Sequence, residues 1–146
     1  TYIFGTMNPT SLRDYAGTQS LNKAFADRWV IWDKPFPNKE QLDAIFEKRY
    51  PKLQKEYREL IIKLATEINN SFMSDDISIN IETPMSLRTI VERIPIGLDV
   101  YADSVDPLKD TWENFVLPHV NKEDLDHYKT LWNTIVRKGP SIKPKL

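Results

Sequence analysis

The sequence predicts a mainly α-helical protein that opens with a short α/β portion. Three observations lead there. Two β-like runs, Tyr2-Ile3-Phe4 and Trp29-Val30-Ile31-Trp32, are confined to the first 33 residues. Beyond Asp33 the apolar residues recur three and four positions apart, the period of an amphipathic helix. The 146 residues, 40% apolar and 28% charged, fit a globular protein of one domain's length.

The first run is aromatic and β-branched and stops at Gly5, as a buried strand does. A polar loop over residues 8–20 contains Pro9 and Gly17. A short helix follows over residues 21–27, with Leu21, Ala24 and Phe25 on one side, and the second strand comes next. Pro35 and Pro37 make an extended linker. Asn38 and Gln41 have the spacing of a capping box, ahead of the stripe Leu42, Ile45 and Phe46. Pro51 interrupts, since its ring and missing N–H disfavour a continuous helix.

The clearest helix carries Leu53, Tyr57, Leu60, Ile61, Leu64 and Ile68 on one face. Its polar face, with Lys52, Lys55, Arg58 and Lys63, reads as solvated, with a basic contact surface as the alternative. Asn69-Asn70-Ser71 ends this helix. Ile77, Ile79 and Ile81 alternate with polar residues, as in a short half-buried strand. Thr83-Pro84 opens a helix that runs to about Arg93. Pro95 and Gly97 break the stretch that follows. Asp106-Pro107 starts a helix with Leu108, Trp112, Phe115 and Val116 on one face. Asn121 caps the last, whose stripe is Leu125, Tyr128, Trp132 and Ile135. Gly139-Pro140 stops it, and residues 141–146 read as a tail.

Composition excludes several chemistries. Only four glycines occur, at positions 5, 17, 97 and 139, and no GxxxxGK(S/T) phosphate loop exists. There is no cysteine, which removes thiol catalysis, disulfides and Cys-based zinc sites. His119 and His127 stand eight apart without cysteine partners, so no metal site is expected. A net charge of −1 gives no overall basic field for nucleic acid. No apolar run reaches the roughly 18 residues of a membrane span, so no membrane partner is expected. No secretory signal opens the chain, and the cytoplasm is the default compartment. The chain also begins without Met, inside an expected strand, which predicts a start within a domain. Eight acids against two lysines between Asp99 and Asp126 read as a solvated face, with a partner surface as the alternative. Trp29, Trp32, Trp112 and Trp132 fall on apolar runs and read as core.

The informative segment is residues 1–32. A strand ends in Thr6-Met7-Asn8-Pro9, Tyr15-Ala16-Gly17-Thr18 follows, and Leu21-Asn22-x-Ala24 leads to Asp27-Arg28-Trp29 and the second strand. Taken singly these are ordinary: a strand-to-turn exit and a surface Asp-Arg pair. In this order they resemble the MoxR-like AAA+ ATPases, the group that includes the CobS, CbbQ/NorQ and midasin relatives. Trp29 departs from the usual Phe. The resemblance is specific over the first 32 residues and compatible over the rest.

The resemblance implies a remnant of an α/β AAA+ core over residues 1–33, a helical lid over residues 36–138 and a tail over residues 139–146. It implies that Asn8 is the sensor 1 residue, whose amide can both donate and accept hydrogen bonds and so orient the attacking water. It implies that Arg28 is the arginine finger, a guanidinium lent to the neighbouring subunit to stabilise charge on the transferring phosphoryl group. Arg13 is the competing position. Ser86-Leu87-Arg88 matches a loose sensor 2 motif at a lid helix start, which makes Arg88 a nucleotide-binding candidate. Arg93 is its alternative, and a surface pair of Arg88 with Glu82 or Glu92 is the plainer reading.

The family further implies ATP and Mg²⁺ as cofactors and a homo-oligomeric ring. Its task is chaperone-like remodelling, often with a von Willebrand factor A-domain partner. The phosphate loop and acidic strand would precede Thr1, so this chain alone is expected neither to bind nor to hydrolyse ATP. Two other readings remain: a non-enzymatic helical interaction module, and part of a DNA-dependent AAA+ motor. Parallel pairing of residues 2–6 with 29–32 would favour the ATPase.

Overall fold

A computed structural model describes residues 3–5, 24, 27–30, 35–74, 76, 78 and 81–146. Two units result, Thr1–Pro35 and Phe36–Leu146. In the first, Ala24 is helical, Asp27 and Arg28 form a turn, and residues 3–5 and Val30 have no regular structure. Ile3, Phe4 and Val30 are 76%, 91% and 98% exposed. The expected strands at residues 2–4 and 29–32 are therefore not seen at their described positions. A strand needs a ladder partner and an apolar face to lie on, and two short segments do not make a stable sheet. Trp29 is 39% exposed, so it is not the core residue its run predicted, and Trp32 lies outside the described residues.

The second unit is helical, and among the described residues there is no strand. Helix α1 (Lys39–Arg49) starts on the expected capping box: the Asn38 side chain accepts from Gln41 N at 2.8 Å, and Gln41 accepts from Asn38 N at 3.0 Å. It buries Leu42 and Phe46 and ends before Pro51. Helix α2 (Lys55–Phe72) packs against α1 and buries Tyr57, Ile61, Ile62, Leu64, Ala65 and Ile68. Arg58 does not lie on a solvated face. Its side chain is 14% exposed and reaches Asp43 at 3.7 Å and Glu47 at 3.5 Å, fastening α2 to α1.

Past α2, Ile81 is buried without strand structure, and residues 77, 79 and 80 lie outside the described residues. The next helix starts later than Thr83-Pro84. The Ser86 hydroxyl accepts from Thr89 N at 3.1 Å and a π-helical turn spans Thr89–Arg93. That turn runs directly into α3 (Ile94–Val100), so Pro95 and Gly97 do not break the helix. Ile94 N–H bonds back five residues to Thr89, which widens the turn ahead of a residue that has no N–H to give.

Asp106 caps α4 (Pro107–Thr111) by accepting from Lys109 N at 3.0 Å. A second π-helical turn (Trp112–Val116) and 3₁₀ turns at Leu117–His119 and Lys122–Asp124 lead to α5 (Leu125–Ile135). Helix α5 packs on α2. Trp112 stacks on Tyr128 at 5.7 Å and on Trp132 at 5.2 Å, an aromatic column in the core. Helix α3 crosses α4 at Gly97, where a Cβ would overlap the Thr111 side chain.

The segment after α5, which the sequence predicts as a tail, folds back. Gly139 N donates to Asp106 at 3.0 Å, Tyr57 OH donates to Ile142 O at 2.7 Å, and Pro144 is buried.

Candidate functional site

Arg88 is the sequence-predicted site residue whose surroundings can be built in detail. The chain leading to it is held by side chains from three directions. The buried Asp124 carboxylate accepts from Glu82 N at 3.1 Å and from Thr83 N at 2.7 Å. Tyr128 OH donates to Thr83 O at 2.7 Å, and Asn121 N donates to Thr83 Oγ1 at 3.1 Å. Burial, and then the Asp124 carboxylate, push the Tyr128 phenol well above its usual range, so it stays a donor. Asn69, also buried, closes both backbone groups of Met85: Oδ1 accepts from Met85 N at 2.8 Å and Nδ2 donates to Met85 O at 3.1 Å. Ser86 then caps the turn that carries Arg88.

The Arg88 side chain itself is 77% exposed. Its Nε lies 3.9 Å from Glu92, which also stands 3.6 Å from Arg49, so one carboxylate is shared between two guanidinium groups. Exposed pairs of this kind contribute little, under about 1 kcal/mol. The arrangement is a solvent-facing guanidinium on a tightly clamped base, a planar group whose fork of donors matches carboxylate and phosphate oxygens. Arg93 is half-buried on the same turn.

Arg28 lies in an exposed turn with Asp27. Asn8 and the competing Arg13 lie outside the described residues. The two candidates that are described, Arg28 and Arg88, fall in different units. Among the described residues no three His, Asp or Glu side chains gather as a metal site. His127 instead faces the Ser71 hydroxyl at 3.1 Å, and His119 is exposed. Along α2, Lys55 and Lys63 share a shallow crevice with Lys39, Glu40, Asp43 and Glu59, a mixed-sign surface without a basic stripe. No helix among the described residues is long and apolar enough to cross a membrane.

Sequence reasoning missed Asn69 and Asp124. Both sit in register with apolar stripes: Asn69 is four residues past Ala65, and Asp124 is four before Tyr128. A polar side chain aligned with a buried stripe must find a partner there, and that alignment was the available signal. No protein-family model, curated protein or solved structure matches this chain.

Proposed function

We propose that the chain is the C-terminal portion of a MoxR-like AAA+ ATPase, with the end of the nucleotide-binding core before Pro35 and the helical lid after it. The observation that carries the reading is the order of three motifs within 32 residues: Thr6-Met7-Asn8-Pro9, Tyr15-Ala16-Gly17-Thr18, and Leu21 through Arg28 before an aromatic, β-branched run. Two structural facts are compatible with it. The division at Pro35 and Phe36 falls at the expected end of the core portion. Arg88 offers an exposed guanidinium at a clamped helix start, as a phosphate-sensing lid residue requires.

In this reading Asn8 orients the attacking water and Arg28 reaches the neighbouring subunit's nucleotide. Arg88 reports ATP to the lid. The cofactors are ATP and Mg²⁺, held by a phosphate loop and an acidic strand in the longer protein. The assembly is a cytoplasmic ring of identical subunits that remodels a partner, with a von Willebrand factor A-domain protein as the candidate.

The test is made in the longer protein. Arg28→Ala is expected to abolish ATP turnover, a loss of about 10³-fold or more, while nucleotide binding persists. Turnover that survives would reassign the finger to Arg13. Calorimetric titration of the 146-residue chain with ATP is expected to show no binding; micromolar affinity would overturn the placement of the phosphate loop. A longer protein without any phosphate loop would leave the helical interaction module as the better reading.

A further inference from the structure

Residues 139–146 are held as a bound peptide is held. The Gln54 side-chain amide makes two bonds to their backbone: Nε2 donates to Lys143 O at 2.6 Å, and Oε1 accepts from Lys145 N at 3.1 Å. Tyr57 OH adds a bond to Ile142 O at 2.7 Å, with Pro140 O at 3.3 Å. Lys143 pairs with Asp103, and Gly139 N donates to Asp106. Pro144 is buried between the two bonds of Gln54. Main-chain hydrogen bonds, with a pocket for one side chain and a charge for its neighbour, are also how bound peptides are held.

The segment is also poorly sealed. Ser141, Ile142, Lys143 and Lys145 are exposed, and a crevice of about 230 Å³ opens between residues 102–107 and residues 141–143. Few buried apolar contacts and exposed backbone bonds mark a segment that opens locally before the core does. The residue that leads into it is strained: Arg137 has φ 57°, a left-handed conformation that L side chains disfavour. A strained hinge before a weakly sealed segment is the arrangement from which neighbouring copies exchange elements.

We propose that the groove formed by Gln54, Tyr57, Asp103 and Asp106 is a docking site for an Ile-Lys-Pro-Lys segment. The chain's own residues fill it in the isolated molecule, and the same residues of a second copy fill it in an assembly. Every copy carries both groove and ligand, so the occupant is fixed by the chain itself. The inference stands apart from the nucleotide reading, since none of these residues belongs to its motifs.

The test uses a chain ending at residue 138 and a fluorescent peptide of residues 139–146. Saturable binding is expected by anisotropy, weakened about tenfold or more by Gln54→Ala, which removes two hydrogen bonds. The intact chain, its groove filled, is expected to bind the peptide at least about tenfold more weakly. The intact Gln54→Ala/Tyr57→Phe variant, whose segment has lost its own anchors, is expected to pair one-to-one with the shortened chain in sedimentation. A folded shortened chain that ignores the peptide, affinity indifferent to Gln54→Ala, or no such pair would overturn the proposal. If the shortened chain does not fold, amide exchange in the intact chain decides. Lys145 N–H is expected to exchange about tenfold or more faster than the α2 core, and exchange in step with α2 would overturn detachment.

Discussion

Tyr57 shows how one side chain couples chemistry to stability. It is fully buried, its hydroxyl is spent on Ile142 O, and burial together with the Asp106 carboxylate pushes its phenol from 10 up to about 12. A phenol that is harder to ionise in the folded chain than in the unfolded one stabilises the fold fully below pH 10. That contribution is lost as pH rises through about 12. The difference of about two pH units corresponds to about 3 kcal/mol. Urea unfolding midpoints are therefore expected to hold level up to pH 10 and to drop beyond it. In Tyr57→Phe the alkaline drop should shrink, leaving the part owed to Tyr128, whose phenol is raised for the same two kinds of reason. An unchanged alkaline profile in Tyr57→Phe would count against this account. At neutral pH the variant loses the one hydrogen bond that this hydroxyl donates, about 1 kcal/mol.

Between elements, a close constraint is the crossing of α3 over α4. Gly97 lets the backbone come so close that an added methyl would overlap Thr111 Cγ2 and press on Phe115. Gly97→Ala is expected to destabilise by about 1–3 kcal/mol, the usual cost of overpacking. The fully buried Thr111 hydroxyl has no hydrogen-bond partner, so Thr111→Ala sacrifices packing but no bond. Combining the two substitutions should recover much of the loss, and thermal melts arranged as a double-mutant cycle would read the coupling. Additive losses would mean that the clash is relieved elsewhere.

The same scale shows what was legible beforehand. The capping box at Asn38 and Gln41, the stop at Pro51 and the start at Asp106-Pro107 were readable because their physics spans four residues or fewer. Pro95 predicts a break that the helix does not have, because the π-helical turn that accommodates it leaves no local mark in the sequence. The helix expected from Thr83 begins later because the Thr83 backbone is already engaged by Asp124 and Tyr128, 41 and 45 positions away. For the candidate site, the place of Arg88 near a helix start was legible. The clamp beneath it was not, since Asn69 and Asp124 act through contacts that no short window contains.

On the scale of the whole molecule, the buried apolar residues from Leu42 to Val136 all belong to the unit Phe36–Leu146, which thus carries a hydrophobic core of its own. That unit is of ordinary domain size. Its core includes the stacked column of Trp112, Tyr128 and Trp132, a sensitive reporter of fixed packing through near-ultraviolet circular dichroism. Among the described residues before it, Ile3, Phe4, Trp29 and Val30 are exposed apolar side chains. Residues 36–146 expressed alone are therefore expected to keep the near-ultraviolet signal of the column and to unfold in one transition. Their midpoint should lie within about 5 °C of the whole chain's, a shift worth no more than about 1 kcal/mol at this size. A lost column signal, or a midpoint lower by a much larger margin, would show that the helical unit depends on the segment before Pro35 and that the division there is not one between independent folding units.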